Sequence, residues 1–359
     1  MKKLVLIVIS AIVALALAAG AVTAVLAWQF LKSSPSDDET EIVYEVRPGM
    51  GFNLVANELQ EKGLIKDAAL FKFFVRFGGQ GGNLKVGEYL LRPNMTPSEV
   101  LNTITSGKSI ARSFTISEGL STYEIAALIE RNGFGTSAEF MRLVRDPVFV
   151  QSLLGEERES LEGYLFPETY MVTKYTDLKT LVTTMVKRFL AVYSELENQN
   201  QYVGLTRHRL VTLASIIEKE TGAPEERPLI SSVFHNRLAR GMRLQTDPTV
   251  IYGKAESLGR IVISITRKDL QTPTRYNTYL IPGLPPGPIA NPGKEALHAA
   301  MRPQSSRYLF FVSQNDGTHV FTENYQDHSR AVRKYQLDAK ARKGKSWRDL
   351  NKRNSGSNR

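Results

Sequence analysis

Glu218 stands near the end of HRLVTLASIIEKETGAPEERP, the run from His208 to Pro228, where residue types and spacing suit acid–base chemistry. Val211, Ala214 and Glu218 fall at i, i+3 and i+7, so the glutamate shares one small, apolar helix face. Gly222 and Pro224 stop that helix and leave Glu218 in its last turn. Burial on that face and the negative end of the helix dipole both disfavour a bare carboxylate, which suits a proton donor. The bland alternative for a lone glutamate is a solvated or paired surface residue. Glu220, rotated about 200° around the same helix, is read as the solvated kind. Glu225 and Glu226 are read as first-turn charges of the next helix.

That next helix, Pro228–Arg240, turns Ile230, Val233, Phe234 and Leu238 inward, with Asn236 and Arg237 flanking the stripe. The turn Leu244-Gln245-Thr246-Asp247-Pro248 gathers amide, hydroxyl and carboxylate side chains. Arg275-Tyr276-Asn277-Thr278-Tyr279 follows, and then a loop with four prolines and two glycines between Ile281 and Pro288. Such a stretch can be neither a helix nor a central strand, and it makes a stiff wall. Rings beside amides along a rigid loop suit a sugar groove, since sugars offer apolar faces and hydrogen-bonding rims. A purely structural proline-rich connection is the competing reading.

Other chemistries find no pattern. There is no cysteine, and His208, His235, His298, His319 and His328 show no metal-ligand spacing, so neither a metal nor a cofactor is expected. No G-x-S-x-G elbow is present. Asn102–Ser109 ends like a phosphate-binding loop, but Asn102 stands where the first glycine is needed, so a helix stop is expected. The net charge of +10 does not indicate nucleic acid. Eight basic residues against one acid between Lys340 and Arg359 place +7 of it in a terminal tail.

These candidates must be positioned by a larger framework. Leu4–Leu31 carries no charge and is long enough as a helix, about 40 Å, to cross a bilayer. Lys2 and Lys3 precede it and four acids follow within ten residues of its end, which puts the remainder outside the cytoplasm. A cleaved signal peptide is the alternative, and it exports the same domain. The expected division is an anchor at 1–31, a flexible linker at 32–41, a small lobe at 42–109, a large domain at 110–337 and a mobile tail at 338–359. Hydrophobic residues at 42% supply cores for both folded parts.

A repeat at an offset of 70 residues runs through both parts: Val43–Leu64 aligns with Ser113–Phe134 without a gap, glycines included. Each copy reads as strand, glycine turn, helix and glycine cap, with GEYLLRP from Gly87 and EGYLFPE from Glu162 as returning strands. In the first lobe the expected order is strand, helix to Lys62, helix Ala68–Phe77, strand Leu84–Leu91 and helix Pro97–Thr105. The GGQGGN loop at Gly78–Asn83 forms a turn. This βααβ order resembles the LysM module, which binds N-acetylglucosamine polymers; a lobe that binds nothing is equally consistent with it. Near the end, Asn291 is expected to cap a helix to Met301, and strands around Asn315-Asp316-Gly317 form a hairpin before a helix to Gln336. The fold class is α+β.

ASIIEKET from Ala214, VFHNRL from Val233, GMRLQTDPTVIYG from Gly241, YNTYLIPGLPPGPIANPG from Tyr276 and YLFFV from Tyr308 closely resemble the YceG-like family. These are the endolytic murein transglycosylases usually called MltG, and the resemblance in order and spacing covers about residues 40–335. It implies a LysM-like lobe, a mixed α+β catalytic domain and Glu218 as the catalytic acid. It also implies cleavage of the bond between N-acetylmuramic acid and N-acetylglucosamine, leaving 1,6-anhydro ends and limiting glycan length. Asn236, Gln245, Asp247, Tyr276, Asn277 and Thr278 are the residues it carries over for holding the sugars. Peptidoglycan strands, the cytoplasmic membrane and glycan-polymerising synthases are the implied partners, with no nucleic acid. The rival readings are a hydrolase of the same bond, in which Asp247 assists Glu218, and a wall-binding scaffold without activity.

Overall fold

The computed structural model describes residues 2–77, 84–199, 204–220 and 223–338. The glycine-rich turn at 78–83 and the basic tail from 339 lie outside the described residues. The chain divides into two compact units, residues 1–113 with 171–176, and residues 114–170 with 177 onward.

The first unit is built from α1 (Lys2–Lys32), β1 (Ile42–Val46), α2 (Phe52–Glu61), α3 (Ala68–Phe77), β2 (Gly87–Leu91) and α4 (Pro97–Ser106). The two strands pair antiparallel, with Tyr44 opposite Tyr89 and Val46 opposite Gly87. Alternation along the strands turns Tyr44, Val46, Tyr89 and Leu91 into one core with Val55, Leu59, Phe71, Val100 and Ile104. Thr96 caps α4 through a capping box and Gly107 ends it in the left-handed region (φ 75°), so the phosphate-loop look-alike is a helix stop. The βααβ order matches expectation, but order alone does not make the lobe a glycan-binding module.

Two features of this unit depart from the sequence reading. Phe30, within the apolar stretch, is buried in the core and stacks on Phe74 at 6.5 Å. The segment after it, expected to be a flexible linker, is fastened instead. Ser36 N–H donates to the Pro93 carbonyl, Asn94 N–H to the Asp38 carbonyl, and Thr40 donates twice to the Asp38 carboxylate. Counted over the described residues, no helix is long and apolar enough to cross a membrane.

The chain enters the second unit along β3 (Arg112–Thr115) and continues through α5 (Thr122–Arg131), α6 (Ser137–Leu143) and α7 (Pro147–Leu154). β4 (Thr169–Val172) returns beside β3. The repeat is real at the level of backbone: Gly49 and Gly119 turn at φ 80° and 76°, and Gly63 and Gly133 at 70° and 75°. The second returning strand is displaced, however, because Glu162–Pro167 forms a packed turn rather than a strand. Gly163 there has φ 85°, and a Cβ on it would sit 2.5 Å from Pro288 Cγ. Only glycine allows that approach.

Beyond β4 come α8 (Leu178–Gln199), α9 (Arg207–Glu220), α10 (Arg227–Ala239), α11 (Asp247–Leu258), α12 (Arg267–Gln271) and α13 (Lys294–Met301). A hairpin of β5 (Phe310–Ser313) and β6 (His319–Thr322) then leads to α14 (Tyr325–Val332). The centre is α9, which packs against α10, α11 and α13. Every residue from Leu210 to Ile217 on it is buried, the mark of a helix enclosed on all sides rather than a surface helix with one apolar stripe. The mixed α+β class stands. Asn291 is not a helix cap: Gly293 takes that position, and Asn291 is fully buried with its amide bound to Leu165 N, Leu120 O and Glu162.

Candidate active site

Because α9 is the core, the side chains of its last turn project from the middle of the second unit. Glu218 is among them, its side chain only 6% exposed. One carboxylate oxygen accepts from the Arg227 guanidinium at 2.9 Å, at the start of α10, and the other from Gly293 N–H at 3.0 Å. Arg227 is shared, since Glu118 lies 3.7 Å from the same nitrogen. Glu118 is half-exposed, and burial together with the Glu218 charge pushes its carboxyl above the ordinary range. Two glycines make room for this cluster. Gly119 turns against the Glu218 side chain, and its carbonyl accepts from Lys219 Nζ at 3.0 Å. A Cβ on Gly293 would lie 1.9 Å from Glu118 Oε1. Glu218 is therefore neither solvated nor alone: it is one of two carboxylates around a single cation.

Glu220 faces a different space, and the expectation that it is solvated fails. It lines a cavity of about 550 Å³ between α9, α10, the 244–247 turn, β5 and α14. Burial, with Asp247 close by, pushes its carboxyl up to about 7, while the Thr246 hydroxyl and Arg237 pull the other way. The physical reason is the enclosure of α9 on all sides, which an amphipathic-stripe reading cannot register. Glu226 likewise does more than start a helix. It accepts from His319 N–H at 2.9 Å and lies 2.6 Å from His319 Nδ1, tying α10 to the hairpin.

The residues expected to hold sugars separate into three groups. Gln245 and Asp247 line the Glu220 cavity, with Asp247 accepting from Tyr279 Oη at 2.7 Å. Gln245 sits at φ 52°, a strained setting for a residue with a side chain, beside its backbone bond to Thr278. Tyr276 instead packs edge-on to Tyr252 and lines a second cavity of about 720 Å³, with Glu162, His208 and Pro286. Asn277, Thr278 and Asn236 are committed inside the protein. Asn277, fully buried, donates to the carbonyls of Leu270 and Thr272, and Thr278 Oγ1 accepts from Thr246 N–H. Asn236 donates to Ser306 and Tyr308 carbonyls, so these three shape the turns rather than line a cavity.

The proline-rich wall is anchored to α9 through Pro286 and Ile289. Ser215 Oγ accepts from Ile289 N–H at 3.0 Å, and His208 Nε2 lies 2.9 Å from the Pro286 carbonyl, with Tyr164 Oη on its Nδ1. Behind the wall Glu162 is almost fully buried and pushed up to about 7 by that burial. It accepts from Thr122 N–H, Tyr252 Oη and Asn291 Nδ2, which makes it a buried junction of three segments. No group of acidic or histidine side chains that could hold a metal occurs among the described residues.

Glu118 and Arg227 were not singled out in the sequence, although a signal for the first exists. At the glycine turn of the repeat, the first copy reads Pro48-Gly49 and the second Glu118-Gly119. The copy with a charge at that turn is the one that reaches α9.

The model of the YceG-like family matches residues 44–334. An endolytic murein transglycosylase of Bacillus subtilis (strain 168) is 31% identical over 320 residues, covering 85% of this chain and 88% of that protein. One of Streptococcus pneumoniae is 29% identical over 317 residues, covering 79% of this chain and 56% of its own length. A crystal structure of a yceG-like protein from Listeria monocytogenes shares 33% identity and a TM-score of 0.54, covering 82% of this chain and 99% of that one. The match spans both described units and every residue of the Glu118–Arg227–Glu218 cluster, and the chain belongs to the YceG-like family.

Proposed function

We propose that this protein is an endolytic lytic transglycosylase of peptidoglycan, and that Glu218 is its acid–base residue. The observation that carries the reading is the pair Glu118 and Glu218 around Arg227. Glu218 is held by Arg227 and Gly293 at the end of a buried helix, and the Glu118 carboxyl, raised by burial and by the Glu218 charge, shares the same cation. As the acid, Glu218 passes a proton to the oxygen linking N-acetylmuramic acid to N-acetylglucosamine as the bond to C1 breaks. The muramic C6 hydroxyl then closes on C1, and its proton returns to the carboxylate. No water is consumed, and the product ends in a 1,6-anhydro ring. Endolytic cuts of this kind shorten glycan strands. The similarity to two proteins named endolytic murein transglycosylases supports this reading.

The charge pattern flanking Leu4–Leu31 supports a single-pass anchor in the cytoplasmic membrane with the two units outside, where the substrate lies. Glycan strands are then the partner, and the polymerising synthases are neighbours on the same face.

The paired carboxylates also favour one alternative, a hydrolase that uses the second acid to activate water. Asp247 is a poor partner for it, because Asp247 lines the Glu220 cavity and Glu218 does not. Mass spectrometry of glycan strands digested by the full-length protein separates the readings. Products one water lighter than reducing ends, lost by about 100-fold or more in Glu218→Gln, are expected. Reducing-end products would establish the hydrolase. Undiminished cutting by Glu218→Gln would remove Glu218 from the chemistry.

A further inference from the structure

α11 and α12 are joined by GRIVISIT, Gly259–Thr266, and the residues of this connection do not suit a loop. Five of the six from Ile261 to Thr266 are β-branched, the types that favour strands, whereas connections are ordinarily polar. The segment nevertheless forms neither strand nor bridge. Its ends are fixed. Gly259 closes α11 at φ 64°, Thr266 opens α12 through a capping box, and Lys254 bonds Asp269 at 2.9 Å across the two helices. Between those ends, no backbone N–H or carbonyl from Ile261 to Ile265 makes a hydrogen bond among the described residues.

The side chains are as open as the backbone. Ile263 is 91% exposed, and Leu258 and Ile261 beside it are exposed as well. Arg260 stands at one end of the run and Arg267 and Lys268 at the other, all three exposed. The ion pairs nearby, Lys254 with Asp269 and Arg275 with Glu256, leave them out. A row of unpaired main-chain groups held at both ends is a template for one more strand. A bilayer is the wrong cover for it, because lipid strips water from those groups and returns no hydrogen bonds. A second copy is disfavoured too. Antiparallel pairing about Ile263 sets Arg260 of each copy beside Arg267 of the other.

We propose that Ile261–Ile265 is a docking strand for an extended segment of another protein, apolar at alternate positions and acidic at both ends. The added segment takes up the open N–H and carbonyl groups, and its apolar side chains cover Ile261 and Ile263. Its acids meet Arg260, Arg267 and Lys268, which fixes direction and register. This inference stands apart from the glycan-cleaving reading, since no residue of the segment joins the Glu218 cluster or lines either cavity.

The test is backbone hydrogen exchange of the full-length protein in detergent, read by mass spectrometry over residues 258–268. The probe is a synthetic peptide of alternating valine and threonine with two glutamates at each end. Without peptide the segment is expected to exchange as fast as open chain, and saturating peptide slows it about tenfold or more. Ile263→Pro removes an N–H and bars pairing, so it abolishes the slowing, while Ile263→Val keeps it. Both variants keep the wild-type melting temperature, which separates lost docking from misfolding. The same peptide with lysines for glutamates binds about tenfold more weakly. Joint Arg260→Glu and Arg267→Glu substitution reverses that preference. No slowing at about 1 mM peptide, or equal slowing in Ile263→Pro, overturns the docking strand. Slowing that grows with protein concentration alone makes the cover a second copy. Slowing in anionic-lipid nanodiscs without peptide makes it a bilayer, and either result overturns the proposal.

Discussion

At the scale of single residues, the site depends on where a side chain is missing as much as on where one is present. Gly293 lies so close to Glu118 that a methyl group there displaces the carboxylate. Gly293→Ala is expected to abolish most glycan cleavage and to cost about 1–3 kcal/mol of stability by denaturant titration. Glu220 makes a second test. Its carboxyl is raised by burial, and by Asp247, from the ordinary carboxylate range to about 7, with Thr246 and Arg237 opposing and Tyr279 and His328 on neighbouring walls. A raised value means the folded protein holds this proton more tightly than the unfolded chain. The resulting stability is complete below about pH 4.5 and lost as pH rises through about 7, at most about 3 kcal/mol. Melting curves of Glu220→Gln against wild type from pH 5 to 8 should show that slope flattened in the variant. The place of Glu218 in the last turn of a helix was legible in the sequence because its helix and its small neighbours are local. Arg227 and Glu118 were not, because what unites them is a tertiary approach of three segments. Glu220 was misread because helical periodicity assumes one solvent side along the whole helix, and the middle of α9, Leu210 to Ile217, has none.

At the scale of elements, the sequence disclosed the helices and strands of the small lobe and the helices around Glu218 well, and made no reading of α6–α8, α11 or α12. Ala68–Phe77 was read to the residue, and the ends of α4 and α10 to within one. It misjudged the segments whose conformation is set by packing across the chain. The turn at Glu162–Pro167 has strand-like residues, yet its backbone is dictated by Pro288 and Val211 pressing on Gly163. Asn291 has the residue type of a helix cap, and instead bridges Leu120, Leu165 and Glu162. Gly163→Ala adds a Cβ where φ is positive and Pro288 is 2.5 Å away. It should lower stability by about 2–4 kcal/mol and loosen the proline-rich wall, seen as new protease cutting near residues 281–288.

At the scale of the whole molecule, two cores must each be stable, and the first borrows from the apolar N-terminal helix. Phe30 is buried with Phe74 in the first unit. Phe30→Ala should therefore destabilise that unit by about 3 kcal/mol, while calorimetry shows the transition of the second unit unmoved. A single shifted transition covering both units would contradict the separation into two cores. The apolar helix α1 was legible as an uncharged run, whereas the participation of its last turn in a folded core was not. Residue type gives the same hydrophobic signal for a lipid-facing ring and a protein-facing one.

The fastened segment after Phe30 changes how the first unit is joined to α1. Ten free residues would let the lobe wander by roughly 18 Å from the end of its helix. The bonds from Ser36, Asp38 and Asn94, with Phe30 packed below, remove that freedom. On the proposal that α1 crosses the membrane, the first unit is carried at a fixed height and a fixed tilt, as a post and not a leash.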